Sequence, residues 1–180
     1  VVICLATYKG AERYFLDRLA DRAQTSIALQ RENLNGWLGR FRALPSVYAR
    51  HPDLAGVLRN PDDGALRDRV SLLLESWSFS TGAEESYLMD LSGNVVAASN
   101  WSDADTLLNR NFANTPQHVQ ALQGRLGRQF DYGSPDGTGA RSYQFSFPVR
   151  IGTAAAGVIA VRADITRIEE EMGLSPDEVF

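Results

Sequence analysis

Hydrophobic positions follow two periodicities in this chain, one after the other. From residue 10 to 44 no proline interrupts the sequence. Leu16, Ala20, Ala23, Ile27, Gln30, Leu34, Trp37, Phe41 and Leu44 recur alternately four and three apart. That period of about 3.5 predicts one long helix with a single apolar stripe. Gln30 is the polar member of the stripe, and two alanines thin it. Gly36 and Gly39 lower helix propensity beside Trp37 and permit a close neighbour. Such a stripe packs on its own domain or forms a dimer seam, and both can hold along different lengths. Pro45 is expected to end or kink the helix. A second helical piece then runs to about Leu58, with His51-Pro52-Asp53 as a break and restart. Asn60-Pro61-Asp62-Asp63-Gly64 is a turn cluster. Leu66, Val70, Leu73 and Trp77 mark a third helix, closed by Ser80-Thr81-Gly82.

From residue 85 the period shortens toward two. Ser86 to Leu91 and Val95 to Ser99, joined by Ser92-Gly93-Asn94, read as a hairpin. Thr115-Pro116 reads as the N-cap and first residue of a short helix reaching Leu122. Arg128 to Tyr132 is a third strand. Residues 133 to 139, Gly-Ser-Pro-Asp-Gly-Thr-Gly, are a loop. Ser142 to Val149 is a fourth strand with Tyr143, Phe145 and Phe147 on one face. Gly157 to Asp164 is a fifth, followed by a final helix around Thr166 to Met172. Helices first, then a five-stranded, largely antiparallel sheet, define an α+β fold.

Composition narrows the function. The chain has 180 residues, 44% hydrophobic and 22% charged, which predicts a packed core. A net charge of −4 gives no general attraction to nucleic acid. Cys4 is the lone cysteine, so it has no internal disulfide partner, and with only His51 and His118 no Cys/His zinc site can be assembled. There is no phosphate-binding glycine loop followed by Lys-Ser/Thr and no Gly-x-Ser-x-Gly elbow. The glycine loop at 133–139 lies between strands and lacks the helix N-terminus that suits phosphate. His51 and His118 read as non-catalytic, and Glu84-Glu85 and Glu169-Glu170-Glu171 as solvated faces. No catalytic site, metal or cofactor is called for. Val1 to Tyr8 carries no charge. It is either the start of a buried helix or the last two turns of a membrane span, which would need about a dozen more apolar residues before it.

Four segments in order resemble a known family. They are Tyr87-Leu88-Met89-Asp90 with Gly93-Asn94 and Ala97-Ala98-Ser99-Asn100-Trp101; Arg110-Asn111-Phe112 with Pro116; Tyr143-Gln144-Phe145-Ser146-Phe147-Pro148-Val149; and Gly157-Val158-Ile159-Ala160-Val161-Arg162. Together they resemble the periplasmic, PAS-like Cache sensor domains of DctB-type sensor histidine kinases, which respond to four-carbon dicarboxylates. Arg42-Ala43-Leu44-Pro45 and His51-Pro52-Asp53 fit the same family's N-terminal part. The resemblance implies a periplasmic domain of a membrane-anchored, two-component receptor in the bacterial inner membrane. It divides the chain into the end of a transmembrane helix (1–8), a long helix and helical connector (9–80), a membrane-distal Cache domain (81–172) and the entry to a second Cache domain (173–180). The implied partners are a small carboxylate and a second copy joined through the N-terminal helix.

Departures from the family pattern bear on the ligand. The family's pocket arginine falls on Thr115 and its following tyrosine on Gln117, and a basic loop residue falls near Asp136. Arg162 keeps a cation where the family has a strand lysine. Each buried carboxylate needs a charge-assisted partner, and Arg162 is the one that this pattern retains. The expected contacts are Phe112, Thr115, Ser134, Asp136, Thr138, Tyr143 and Arg162. Arg162 takes a carboxylate and the three hydroxyl residues donate to it. Asp136, if it faces the cavity, repels a second carboxylate and favours an ammonium group, although aspartate in a Pro-Asp-Gly turn is also common for backbone reasons. Dicarboxylate binding through another cation, such as Arg141, stays open.

Overall fold

The computed structural model describes residues 35–132 and 141–167. Most of the predicted N-terminal stripe, the 133–139 loop and most of the final helix lie outside the described residues. Helix α1 occupies residues 35–48. It runs through Pro45 rather than ending there, and Ala49 N–H still reaches Pro45 O at 2.9 Å. Proline forfeits only its own bond to the preceding turn, and burial of Phe41, Pro45 and Tyr48 offsets that loss. Of the predicted stripe Phe41 is buried over this length, while Trp37 and Leu44 are half-buried.

Helix α2, Pro52–Arg59, starts where His51-Pro52 predicts: His51 caps it, its Nδ1 accepting from Asp53 N–H. Proline at the first helical position gives up a donor that would have no partner there. Helix α3, Gly64–Thr81, is capped by Asp63, whose carboxylate accepts from Leu66 N–H, and is closed by Gly82 at φ 72°. That left-handed residue is the usual helix stop. The predicted stripe of α3 is rotated, however. Val70, Ser71, Leu74 and Ser78 are buried, whereas Leu66, Leu73 and Trp77 are half-buried. Two serines lie on the inner face because each has a partner there: Ser78 Oγ donates to Ser86 Oγ at 2.8 Å, and Ser71 Oγ accepts from Ala98 N–H. Trp77 instead stacks on Tyr48 at 4.3 Å.

The strands are β1 (Glu85–Asp90), β2 (Val95–Ala98), β3 (Gly127–Asp131), β4 (Ser142–Ile151) and β5 (Ala154–Asp164), with helix α4 (Pro116–Leu122) between β2 and β3. They form one antiparallel sheet in the order β2-β1-β5-β4-β3. This α+β arrangement agrees with the PAS-like expectation. Helices α2 and α3 cover one face and α4 covers the other. On the helical face Leu88, Ile159, Val161 and Val149 are fully buried, as are Leu54, Val57, Val70 and Leu74 of the helices. Gly157 belongs there because a Cβ would collide with Met89 O and the Leu58 side chain.

The α4 face is apolar at one end and polar at the other. Met89, Val95, Val158, Ala160, Leu107 and Ala121 form its core cluster, against which Phe112 and Leu122 pack. The segment after β2 is tied down beside the hairpin. Val95 N–H donates to Arg110 O, Phe112 N–H to Gly93 O, and Asn111 Nδ2 to Asn94 Oδ1 and Ser92 O. Gly93, at φ 81°, lies so close to the Ala113 backbone that a Cβ would overlap it.

Candidate functional site

The polar end of the α4 face is built by strand alternation. Register pairs Glu85 with Arg162, Tyr87 with Ala160, Gln144 with Arg162, Ser146 with Ala160 and Gln129 with Gln144. Directly opposed residues share a face, so Glu85, Tyr87, Gln129, Gln144, Ser146 and Arg162 converge. Helix α4 adds the buried Gln117; His118, also buried, turns to the other end of the face, its ring nitrogens 3.1 Å from Ala113 O and 3.3 Å from Asp90 O. Tyr87 is at the centre: its hydroxyl donates to Gln144 Oε1 at 2.7 Å and accepts from Gln117 Nε2 at 2.8 Å. Burial pushes the phenol pKa up, the hydrogen bond from Gln117 opposing, and the hydroxyl relays between the two glutamines as donor and acceptor. Ser146 Oγ donates to Gln117 O at 2.9 Å. Gly127 permits this approach, since a Cβ would run into Ser146 Oγ and Gln117 O. The amide oxygens of Gln117 and Gln129 are buried with no hydrogen-bond partner among the described residues. Buried polar atoms are rarely left so, because each costs about 1–3 kcal/mol.

Arg162 stands beside this network, held by two carboxylates. Its Nε and Nη2 donate to Glu84 at 2.9 and 3.1 Å, and Nη2 lies 2.9 Å from Glu85 Oε2. The second contact is close but not aligned, for Glu85 Oε2 has no hydrogen-bond partner among the described residues. Glu85 Oε1 accepts from Asn100 Nδ2 at 2.8 Å. Burial pushes the Glu85 carboxyl up, with Arg162 pulling it back. For Arg162, burial opposes the charge, but Glu85 and Glu84 outweigh it and the pKa rises. Glu84 and Asn100 also line a cavity of about 400 Å³ with Ser99, Ser102, Asp103 and Glu75.

The expected contact residues divide. Arg162 and Phe112 are on the α4 face, where the Phe112 ring lies 5.4 Å from that of Tyr87. Thr115 is the N-cap residue of α4, but its hydroxyl donates to Phe112 O rather than capping the helix. Tyr143 is on the opposite face: it pairs with Ala163, one residue out of phase with Arg162, and its ring packs 4.8 Å from Phe145. A side-chain period of two makes a shared site for Tyr143 and Arg162 impossible without a bulge between them. Ser134, Asp136 and Thr138 lie outside the described residues. Glu84-Glu85, read from the sequence as a solvated run, is instead the counter-charge of Arg162. Gln117, Gln129, Gln144 and Tyr87 went unnoticed as a group, because no short sequence window contains them. The one local signal was Gln117 standing where the resembling family has tyrosine. Among the described residues no group of three or more His, Cys, Asp or Glu is placed to hold a metal.

An antiparallel sheet with helices on one face and a short helix over the half-polar other face is the architecture of a PAS-like domain. The C4-dicarboxylate transport sensor protein DctB of Pseudomonas aeruginosa is 36% identical over 170 residues, 94% of this chain and 28% of that protein. The chain thus spans little more than a quarter of that curated relative. Among solved structures, the sensor domain of the Vibrio cholerae histidine kinase DctB superposes with a TM-score of 0.80 at 27% identity, over 86% of this chain and 59% of that one. The Escherichia coli DcuS sensor domain gives 0.62 at 14% identity, over 79% and 98%. No family model matches the chain. This chain is a periplasmic PAS-like (Cache) sensor domain related to the DctB sensor histidine kinases, and it shares its fold with the DcuS sensor domain. No helix among the described residues is long and apolar enough to cross a membrane.

Proposed function

We propose that this domain is the ligand-binding input of a two-component sensor histidine kinase. It binds a small carboxylate, a C4-dicarboxylate or an acidic amino acid, and signals across the membrane. The observation that carries the reading is the buried polar end of the α4 face, where the Gln117 and Gln129 amide oxygens have no partner among the described residues. A sheet face that served only as core would be cheaper to fill with apolar side chains. The site comprises Tyr87, Gln117, Gln129, Gln144 and Arg162, with Phe112 and Thr115 at its rim. Ser134, Asp136 and Thr138 are proposed to close it from the loop that joins β3 to β4. The heptad of the N-terminal helix is proposed to hold two copies in parallel, so cysteine at Ile27 should cross-link to its mate more readily than cysteine at Arg31.

Thermal unfolding of the purified domain against a panel of small carboxylates tests the sensor reading. A ligand at one hundred times its Kd adds about 2.7 kcal/mol of stability. At least one member of the panel should raise the midpoint by several degrees, and Gln117→Leu should abolish that rise. A panel that moves the midpoint nowhere would end the reading.

A further inference from the structure

We infer that the ligand is a zwitterion: its carboxylate pairs with Arg162 and its ammonium group with Glu85. This rests on the sensor reading above and sharpens it. Among the described residues Arg162 is the strand cation at the polar end of the α4 face, and it already faces two carboxylates. Glu84 accepts from its Nε and Nη2, and Glu85 Oε2 lies 2.9 Å away. A dicarboxylate arriving here would take Arg162 from Glu85 and leave that buried carboxylate beside new negative charge, a costly arrangement.

An α-amino acid avoids that cost. Its carboxylate replaces Glu85 at the guanidinium, and its ammonium group replaces Arg162 at Glu85, so that every buried charge keeps an opposite neighbour. The resting pair is pre-shaped for this exchange. Glu85 and Arg162 are directly opposed on adjacent strands, within the span of an amino acid's own charged groups. Their contact is close yet unaligned, and Glu85 Oε2 has no hydrogen-bond partner to lose among the described residues. Asn100 holds the other oxygen, which fixes the carboxylate. The open amide oxygens of Gln117 and Gln129 are acceptors as well, suited to a ligand rich in N–H groups.

Matched ligands that differ only in an ammonium or a hydroxyl group test this directly. Calorimetric titration of the whole domain with alanine and lactate, aspartate and malate, and succinate should show the amino member of at least one pair binding about tenfold tighter or more, and tighter than succinate. Glu85→Gln should weaken that amino acid about tenfold or more and narrow the gap to its hydroxy partner. Hydroxy acids that equal their amino partners throughout would overturn the inference, as would succinate binding tighter than every amino acid, and in both cases the sensor reading would survive. Amino-acid affinity unchanged in Glu85→Gln would also overturn it. Should that variant not fold, the ligand pairs on the parent domain decide alone. Absence of binding by any small carboxylate or amino acid would remove the sensor reading together with the inference.

Discussion

The two faces of the sheet are made by the same five strands yet are stabilised differently. Under α2 and α3, Leu88, Ile159, Val161 and Val149 meet Leu54, Val57, Val70 and Leu74, all with no more than trace exposure. The buried serines there each have a partner. Under α4, the strands put forward Glu85, Tyr87, Gln144, Ser146 and Arg162, and the network they form with Gln117 leaves acceptors open among the described residues. The first face gains its stability from apolar area removed from water. The second spends part of that gain on burying polar groups, three of whose oxygens have no hydrogen-bond partner among the described residues. The difference sets an apolar, fully packed side of the sheet against a polar one, and under the proposed sensor reading it is the polar side that a ligand would stabilise.

Substitutions on each face can break or sharpen this contrast. The largest effect is expected on the sealed face: Leu74→Ala should cost about 3 kcal/mol, by lost transfer energy and the cavity left behind, measured by urea unfolding with and without ligand. The same loss should appear in both conditions. Gly127→Ala, on the α4 face, should cost about 2 kcal/mol, because the new methyl must push α4 off β4. Unlike Leu74→Ala, it should also impair ligand binding, and intact binding would show that α4 does not set the pocket. Tyr87→Phe should cost about 1–2 kcal/mol in the empty domain by removing the partner of both Gln117 Nε2 and Gln144 Oε1. An unchanged midpoint would mean that the relay contributes nothing to the fold.

The smallest effect is a pH dependence. The Glu85 carboxyl is raised above its ordinary value by burial, so the folded state holds this proton more tightly than the unfolded one. Its ionisation therefore subtracts stability as pH rises through the ordinary carboxylate range and above it. Compared with Glu85→Gln, which mimics the protonated acid, the parent domain should match at low pH and fall behind as pH increases. Parallel stability curves for the two proteins from roughly pH 4 to 7 would contradict that assignment.

Local pattern was a good guide to the elements. His51-Pro52 starts α2, Gly82 ends α3, Gly93 turns the hairpin and Pro116 opens α4, each because a backbone constraint acts within a few residues. Pro45 was a less certain stop: the helix passes through it because the burial of its neighbours outweighs one lost bond. The family likeness, carried by short segments spread over the chain, pointed to the right architecture and compartment. The site was harder to read. Alternation on β4 drew attention to Tyr143, Phe145 and Phe147, since aromatic residues normally mark the buried side. The polar phase, Gln144 and Ser146, is more deeply buried than Tyr143 or Phe147.

By itself the sequence determined which segments are helix and strand, because propensity, capping and period act over a few residues at a time. Only the tertiary structure decided that Arg162 is shared by Glu84 and Glu85, that Tyr143 stands on the other face, and that Tyr87, Gln117 and Gln144 form one chain of hydrogen bonds. These depend on strand register and on where α4 docks. Contacts between residues as far apart as Tyr87 and Gln144 arise from the closing of the sheet as a whole, and no local pattern records them.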